Sequence, residues 1–240
     1  LLEQSGYQLG ATGKTWGPGK LEGFTPAVGK TLPLRSYSSI QTEAILGESF
    51  HRRTLKERRP GMSNLDYAAN FEDFLAERDK DKPFFFWYGS NEPHQGFEEG
   101  AWKKAGKNLA DALVPGSLPD DPVVRGEFLD YALEIEHFDR HLGRMIELLV
   151  RDNLLESTLI VVTSDHGNPM PRSKCNLYDS GTRVPLAIRF AGPAKKGATR
   201  RDLVNLIDLA PTFLTAAGVE IPEEMSGHPL QSLPETGAAV

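Results

Sequence analysis

The chain has 240 residues, 39% of them hydrophobic and 25% charged, a balance that predicts one globular domain with a substantial core. Its net charge of −6 argues against a general nucleic-acid-binding protein, because neutralising phosphates requires a basic surface. No apolar run approaches the roughly 20 residues of a membrane-spanning helix. The single cysteine, Cys175, excludes an internal disulfide bond.

The first part of the chain predicts a helix end, a loop, a helix and a strand. Residues 1–7 are typical of a helix that ends at a glycine, and the glycine-rich residues 8–29 predict a loop. A helix is predicted from Ser63, which together with Asp66 resembles a capping box. The apolar residues 84–88 then predict a strand buried on both faces.

The second part is dominated by one long helix. Residues 90–122 are rich in glycine, proline and charge and predict a long loop. The helical spacing of apolar residues begins after Asp121 and continues to about Asn153. The remaining predicted elements are strands at 158–163, 185–190 and 203–207, and a helix capped by Asp208 that ends at Gly218.

The order of these elements predicts the fold class and the position of a site. Helices that alternate with apolar strands indicate an α/β layer fold with a largely parallel sheet. In such folds, ligands bind where the carboxyl ends of strands open into loops. Two strands are followed by polar clusters, at residues 91–94 and 164–167, so we expect a site there.

The cluster after the 158–163 strand has the residue types of a metal site. A carboxylate and an imidazole side by side, Asp165 and His166, can reach one cation, and Gly167 permits a sharp turn. For an isolated Asp-His pair, a polar turn that merely ends the strand is the simpler alternative. The same loop, however, continues through Lys174 to Pro185 in a pattern that is more specific.

In these stretches the chain resembles the sulfatases of the alkaline phosphatase superfamily. Their metal loop reads S-D-(N or H)-G, then a basic residue, then G-x-R-x-P, as residues 164–185 do here. Further matches are G-Y-x5-G-K at 6–14, K-P-F-F leading to P-H at 82–94, and D-L-x-P-T at 208–212. The matches run in order from about residue 3 to 230. Residues 165–178 are similar to the heparan N-sulfatase group.

The resemblance implies an alkaline-phosphatase-like sandwich with a largely parallel central sheet flanked by helices, in one catalytic domain over residues 1–240. It implies that Asp165 and His166 are ligands of a divalent metal ion, usually calcium in sulfatases. Because calcium prefers oxygen ligands, the histidine leaves zinc or manganese open. Lys14 and Lys174 would hold sulfate oxygens, and His94 would protonate or orient the leaving group.

Two departures from the family pattern affect this interpretation. Sulfatases have paired aspartates and a C-x-P-x-R motif whose cysteine becomes formylglycine, and neither occurs in these residues. We therefore expect the domain to be truncated before residue 1 and the isolated chain to be inactive. In addition, Trp16 stands where many sulfatases have a histidine, and an indole cannot relay a proton.

The implied activity is hydrolysis of O- or N-linked sulfate groups on sulfated glycans. The similarity to the N-sulfatase group favours sulfated glucosamine of heparan-type chains, with sulfate esters of other glycans as the alternative. Such substrates indicate a periplasmic, secreted or lysosome-like protein that has no nucleic-acid or membrane partner. The sequence does not indicate the oligomeric state.

Two other functions remain to be distinguished, and a third is excluded. A phosphatase, phosphodiesterase or phosphonate hydrolase of the superfamily would use the same metal loop with a threonine, serine or cysteine nucleophile. A relative that keeps the fold without the chemistry would bind metal and not hydrolyse sulfate. A P-loop nucleotide-binding protein is excluded by spacing, because Gln8 stands where the motif before Lys14 requires glycine.

Several other residues are interpreted as having no catalytic role. His137 and His141, on the long helix, are expected to be structural or on the surface. Cys175 lies in the metal loop without neighbours that would lower a thiol pKa. The sequence Leu-Pro-Glu-Thr-Gly at 233–237 matches a sortase-type anchoring signal, and we interpret that match as chance.

Overall fold

The computed structural model describes residues 1–14, 46–57, 59–192 and 197–232. The expectations for Trp16, for the rest of the 15–29 loop and for the pentapeptide at 233–237 lie outside the described residues. Among the helices in the described ranges, none is long and apolar enough to cross a membrane.

A parallel sheet of three strands forms the centre of the described fold. Strand β1 (Gln8–Gly13) lies between β2 (Glu48–Ser49) and β3 (Phe84–Gly89). The β1–β3 register pairs Gln8 with Phe84 at one end and Gly13 with Gly89 at the other. The predicted parallel sheet is confirmed, and both long strands end at the same edge of it.

The predicted loop at residues 8–29 is therefore wrong over Gln8–Gly13, which form β1. The glycines that suggested a loop serve packing instead. A Cβ atom at Gly10 would lie 2.6 Å from Cδ2 of the Phe74 ring, so the strand backbone needs glycine to accept this ring.

The other two strands form a separate pair. β4 (Ile160–Thr163) and β5 (Leu186–Arg189) are antiparallel, with Thr163 opposite Leu186. Within the described ranges this pair has no ladder to the parallel sheet. The strand predicted at 203–207 is wrong, because a 3₁₀ helix (Leu206–Asp208) begins there and Leu203 is fully exposed rather than buried.

Two long helices pack on one face of the sheet. Helix α1 spans Tyr67–Glu77 and helix α3 spans Pro122–Arg151. The side chain of Asp121 accepts hydrogen bonds from two backbone N–H groups at the start of α3, which confirms the predicted start. The capping box predicted for α1 is wrong, because Asp66 is itself the N-cap and accepts from Ala69 N at 3.0 Å.

The remaining helical elements are short, and two of them lie within the predicted 90–122 loop. They are α2 (Ala101–Lys104), α4 (Asp179–Thr182), α5 (Leu209–Ala216) and 3₁₀ helices at Glu3–Ser5, Leu109–Asp111, Leu155–Ser157 and Leu230–Ser232. The first of these 3₁₀ helices ends at Gly6, where φ is +88°, as the predicted helix end requires.

The alternation of side chains along β3 shows which helix covers each face of the sheet. The Phe74 ring of α1, with no exposed surface, lies 5.7 Å from the Phe84 ring and 4.9 Å from the Phe86 ring, centroid to centroid. Phe85 points the other way and contacts Phe213 of α5 at 5.8 Å. Successive residues of a strand face opposite sides, so β3 is covered by helices on both faces. The predicted burial on both faces holds only in part, because Phe84, Phe85, Phe86 and Tyr88 are half-buried and Trp87 is 42% exposed.

Candidate functional site

The parallel pairing of β1 and β3 brings two chain segments out at one edge of the sheet. Lys14 follows β1 directly, and its backbone N–H donates to the carbonyl of Gly89 at the end of β3. The indole N–H of Trp87 donates to the Lys14 carbonyl at 3.1 Å. The Lys14 side chain is exposed, so its ammonium group is available at the edge where β3 leads into residues 90–94.

His94 and Lys174 meet although 80 residues separate them. Nζ of Lys174 lies 3.5 Å from Nε2 of His94. The Nδ1 atom of His94 lies 2.9 Å from the carbonyl oxygen of Gln95, which can only accept, so Nδ1 carries the proton in this contact. A neutral His94 therefore presents the Nε2 lone pair to the ammonium group of Lys174.

The loop that carries Lys174 is held by contacts within itself. Gly167 N donates to the Gly181 carbonyl at 3.0 Å, and Lys174 N donates to the Asn168 carbonyl at 3.0 Å. A Cβ atom at Gly167 would lie 1.8 Å from the Ser180 carbonyl oxygen, so only glycine allows this approach. The next residue, Cys175, is a free and exposed cysteine.

Asp165 and His166 follow β4 on the same loop. Oδ1 of Asp165 lies 3.7 Å from Nε2 of His166. Nδ1 of His166 lies 2.7 Å from the Gly167 carbonyl, so Nδ1 is protonated in this contact and Nε2 keeps its lone pair. An imidazole fixed in this way beside a carboxylate fits two ligands of one divalent cation.

The donor set in the described ranges is incomplete for a metal ion. No group of three or more His, Cys, Asp or Glu side chains in these ranges is arranged to hold one. The structure thus brings together Asp165 with His166 and His94 with Lys174, and it places Lys14 at the edge from which the His94 segment leaves. Among the residues that the structure describes, no hydrogen bond or ion pair joins these three parts.

The sequence analysis did not identify Glu92, which anchors the segment before His94. Glu92 is 4% exposed and accepts hydrogen bonds from Ser63 N, from Ser90 Oγ and, at 3.0 Å, from the Tyr67 hydroxyl. Burial raises the pKa of the Glu92 carboxyl, but these hydrogen bonds outweigh burial and leave the pKa below its usual value. Glutamate before Pro-His was visible in the sequence, but nothing in the pattern indicated its partners.

We expect Glu92→Gln to destabilise the protein by about 1–3 kcal/mol, because an amide nitrogen would face donors that now meet an oxygen. The turn that carries His94 would lose its anchor, so the kcat of the complete protein should also fall. Urea unfolding and steady-state kinetics measure the two effects. Glu99→Gln, a glutamate outside this cluster, serves as the control, and equal stability of the two variants would contradict the anchoring role.

A second buried carboxyl faces this cluster from helix α3. Glu134 is 2% exposed, and burial, followed by the nearby charge of Glu92, raises its pKa from 4.5 to about 7. Between these two values the folded protein keeps a proton that the unfolded chain has lost. Because of Glu134, the free energy of unfolding of the protein therefore falls as pH rises from about 4.5 to about 7.

Glu134→Gln removes the ionisable group and with it this fall in folding stability at higher pH. Near pH 5 the variant and the parent should unfold at similar urea concentrations, whereas at pH 8 the variant should be more stable by on the order of 2 kcal/mol. Glu147→Gln, an exposed change on the same helix, is the matched control and should show no such pH dependence. An unchanged pH profile in Glu134→Gln would show that Glu134 is ionised in the folded protein.

The two histidines of α3 are structural, as expected, but neither lies on the surface. His137 is 5% exposed and His141 is 3% exposed. Nδ1 of His141 accepts from Ala68 N at 3.3 Å, which joins α3 to α1. Burial, followed by the charge of His137, lowers the pKa of His141 to about 4. Another histidine, His51, was not considered from the sequence and accepts from Gly13 N at 2.8 Å beside Lys14.

Comparison with known proteins finds relatives that are named as sulfatases or sulfohydrolases. Over 171 residues the chain is 28% identical to the N-sulphoglucosamine sulphohydrolase of Homo sapiens, an alignment that covers 62% of this chain and 34% of that protein. Over 115 residues it is 34% identical to an ulvan-active sulfatase of Formosa agariphila, with 48% of this chain and 19% of that protein covered. The chain thus spans a fifth to a third of the length of these two relatives.

Solved structures show the same fold. A protein solved in complex with its substrate D-glucosamine-2-N,6-O-disulfate superposes with a TM-score of 0.63 at 19% identity, over 95% of this chain and 62% of that one. Phosphonate monoester hydrolases share the fold as well. The sulfatase family model matches residues 1–219, which is most of the chain. The chain therefore belongs to the sulfatase family.

Proposed function

We propose that this chain forms the sulfate-binding and leaving-group side of a hydrolase that removes sulfate from a sulfated glucosamine. The observation that carries the proposal is the 3.5 Å contact between Nζ of Lys174 and Nε2 of His94, at loops that follow β4 and β3. A cation and an imidazole side by side suit a substrate with an anionic group next to a leaving group that needs a proton.

Each side chain has a separate role in this proposal. The ammonium groups of Lys174 and Lys14 bind sulfate oxygens and offset the charge that builds up on them as the bond to the sugar breaks. Nε2 of His94 is the nitrogen that would face the leaving oxygen or nitrogen of the sugar, and it donates a proton to that atom when the ring is an imidazolium with hydrogen on both nitrogens. Glu92 acts through its neighbours, since it fixes the turn that presents His94.

Asp165 and His166 would hold the divalent metal ion on which sulfatases generally depend. When bound, such an ion supplies Lewis-acid stabilisation of negative charge at the reacting group. One carboxylate oxygen and one imidazole nitrogen are compatible with calcium and also with zinc or manganese. Titration of the metal-free protein with each of the three ions, by calorimetry, distinguishes them.

A sulfated glucosamine is proposed because of the similarity to N-sulphoglucosamine sulphohydrolase and the motif at residues 165–178. Such sugars occur in glycans outside the cytoplasm, so we place the protein there as part of the same proposal. The alternative substrate class is a phosphonate or phosphate ester, since phosphonate monoester hydrolases have the same fold.

The test uses the complete protein to which this chain belongs. It would be incubated separately with N-sulfoglucosamine, with glucosamine 6-O-sulfate and with a monoester of phenylphosphonate, and released sulfate or phenylphosphonate would be measured by ion chromatography. We expect one of the sulfated sugars to be hydrolysed at least 100-fold faster than the phosphonate. Faster hydrolysis of the phosphonate would contradict the proposal and support the alternative.

A further inference from the structure

A basic cleft lies beside helix α3, at residues that the proposed sulfate site does not use. It has a volume of about 340 Å³, which is within the range of roughly 300–1,000 Å³ that is usual for small-molecule sites. Arg140, Arg144, His137 and His141 of α3 form one wall, and Arg59 is on the segment that faces them. The chain as a whole is acidic, so three arginines around one cleft are a local exception.

The arginines of the cleft differ in how their charges are balanced. Arg144 forms a two-pronged ion pair with Asp66, at 2.8 and 3.2 Å. Arg59 and Arg140 are exposed, and within the described part of the chain neither guanidinium group has a hydrogen bond or an ion pair. Glu57 also lines the cleft but is paired with neither of them in that part. Two positive charges thus face the cleft without a paired carboxylate among the described residues.

The histidines of the cleft add neutral hydrogen-bonding groups. His137 is 5% exposed, and its Nε2 atom is buried with no partner among the described residues. Nδ1 of His141 accepts a backbone hydrogen bond, so in the neutral ring Nε2 carries the hydrogen. In the neutral ring, Nε2–H of His141 can donate to an anion without adding to the repulsion between the arginines.

We propose that this cleft is a second anion site that binds a sulfate group, either as the free ion or as part of a sulfated glycan. Guanidinium groups donate paired, parallel hydrogen bonds that match the oxygens of a tetrahedral oxyanion. The choice of sulfate among such oxyanions rests on the proposed function. The ion would supply a counter-charge to Arg59 and Arg140, which have no ion pair within residues 46–57, 59–192 and the other described ranges.

The position of the cleft suits a glycan that carries more than one sulfate group. The His141 ring lies 5.2 Å from the Tyr67 ring, centroid to centroid, and the Tyr67 hydroxyl donates to Glu92. Glu92 is two residues before His94. The cleft is therefore close to the proposed reaction site, and a glycan could occupy both with different sulfate groups.

The experiment compares two double variants of the complete protein that lose the same charge. Arg59→Gln/Arg140→Gln removes the two unpaired guanidinium groups, and Lys80→Gln/Arg201→Gln removes two exposed charges elsewhere. Calorimetry would measure the binding of sodium sulfate and of a heparin-derived hexasaccharide at constant ionic strength. A Lys174→Ala background reduces binding at the reaction site, so that the cleft is measured separately.

We expect the dissociation constant of at least one probe to rise tenfold or more in the first double variant and less than twofold in the second. Loss of sulfate binding identifies the free ion as a ligand, and loss of hexasaccharide binding alone identifies a glycan subsite. Equal binding by both double variants, or no binding of either probe by the parent, would overturn the second site. Hydrolysis is not measured here, so this failure is distinct from a failure of the proposed desulfation.

Discussion

We expect Lys174→Ala to lower kcat/KM for the sulfated sugar by about 10²–10³-fold in the complete protein, the usual effect of removing one donor to a developing oxyanion. The ammonium group of Lys174 is the cation that the structure places against His94, at 3.5 Å between Nζ and Nε2. Without it, the transition state would lose more stabilisation than the bound substrate, because the contact offsets charge that builds up on the sulfate oxygens as the bond to the sugar breaks. The effect should therefore appear mainly in kcat.

Two comparisons separate this effect from a change in folding. Lys80→Ala removes a lysine at an exposed position of the α1–β3 connection and should leave kcat/KM within a factor of two. Lys174→Ala should unfold within about 0.5 kcal/mol of the parent, as is usual for surface changes. A loss of less than fivefold in kcat/KM would show that Lys174 does not contact the reacting sulfate.

The sequence predicted the parts of the fold that depend on local signals. The long helix α3 was predicted almost to the residue, because Asp121 caps it and its apolar residues keep helical spacing over eight turns. Strand β3 was equally clear from its run of aromatic residues. In both elements, the same residues that favour the local conformation also form the core contacts.

The predictions of secondary structure were wrong where the conformation of a residue depends on a contact with a residue elsewhere in the fold. Strand β1 reads as a loop because its glycines are needed by the Phe74 ring, which comes from another element. The strand expected at 203–207 has strand-like residues, but Asn205 and Asp208 bond to each other's backbone and close a 3₁₀ turn instead. Such cases are decided by tertiary contacts that periodicity does not contain.

The candidate site shows the same division. Motif resemblance proposed Lys14, His94, Asp165, His166 and Lys174 as its residues, and the contact of His94 with Lys174 came from the structure. Glu92 was missed because its role consists of three hydrogen bonds from Ser63, Tyr67 and Ser90. The unpaired arginines of the cleft beside α3 were missed for the same reason, since pairing is a property of the folded chain.

Gly89→Ala should be the most destabilising single change near the site, by about 3 kcal/mol or more. An added Cβ atom would lie 1.6 Å from the carbonyl oxygen of Lys14 and 2.7 Å from Nε1 of Trp87. The first of these neighbours is backbone and is held by the Trp87 indole, so it cannot move aside as a flexible side chain could. The carboxyl ends of β1 and β3 would have to separate.

Gly143→Ala provides the matched control, because it adds the same methyl group within α3 at a position with nothing within 4 Å. There, alanine should stabilise the protein by about 0.5–1 kcal/mol, since glycine is the weaker helix former. Urea unfolding of both variants measures the contrast. If Gly89→Ala unfolded at the same urea concentration as the parent, the close approach of Lys14 to the end of β3 would be wrong. The proposed position of the Lys14 ammonium group would then be wrong with it, because the backbone that carries Lys14 depends on this approach.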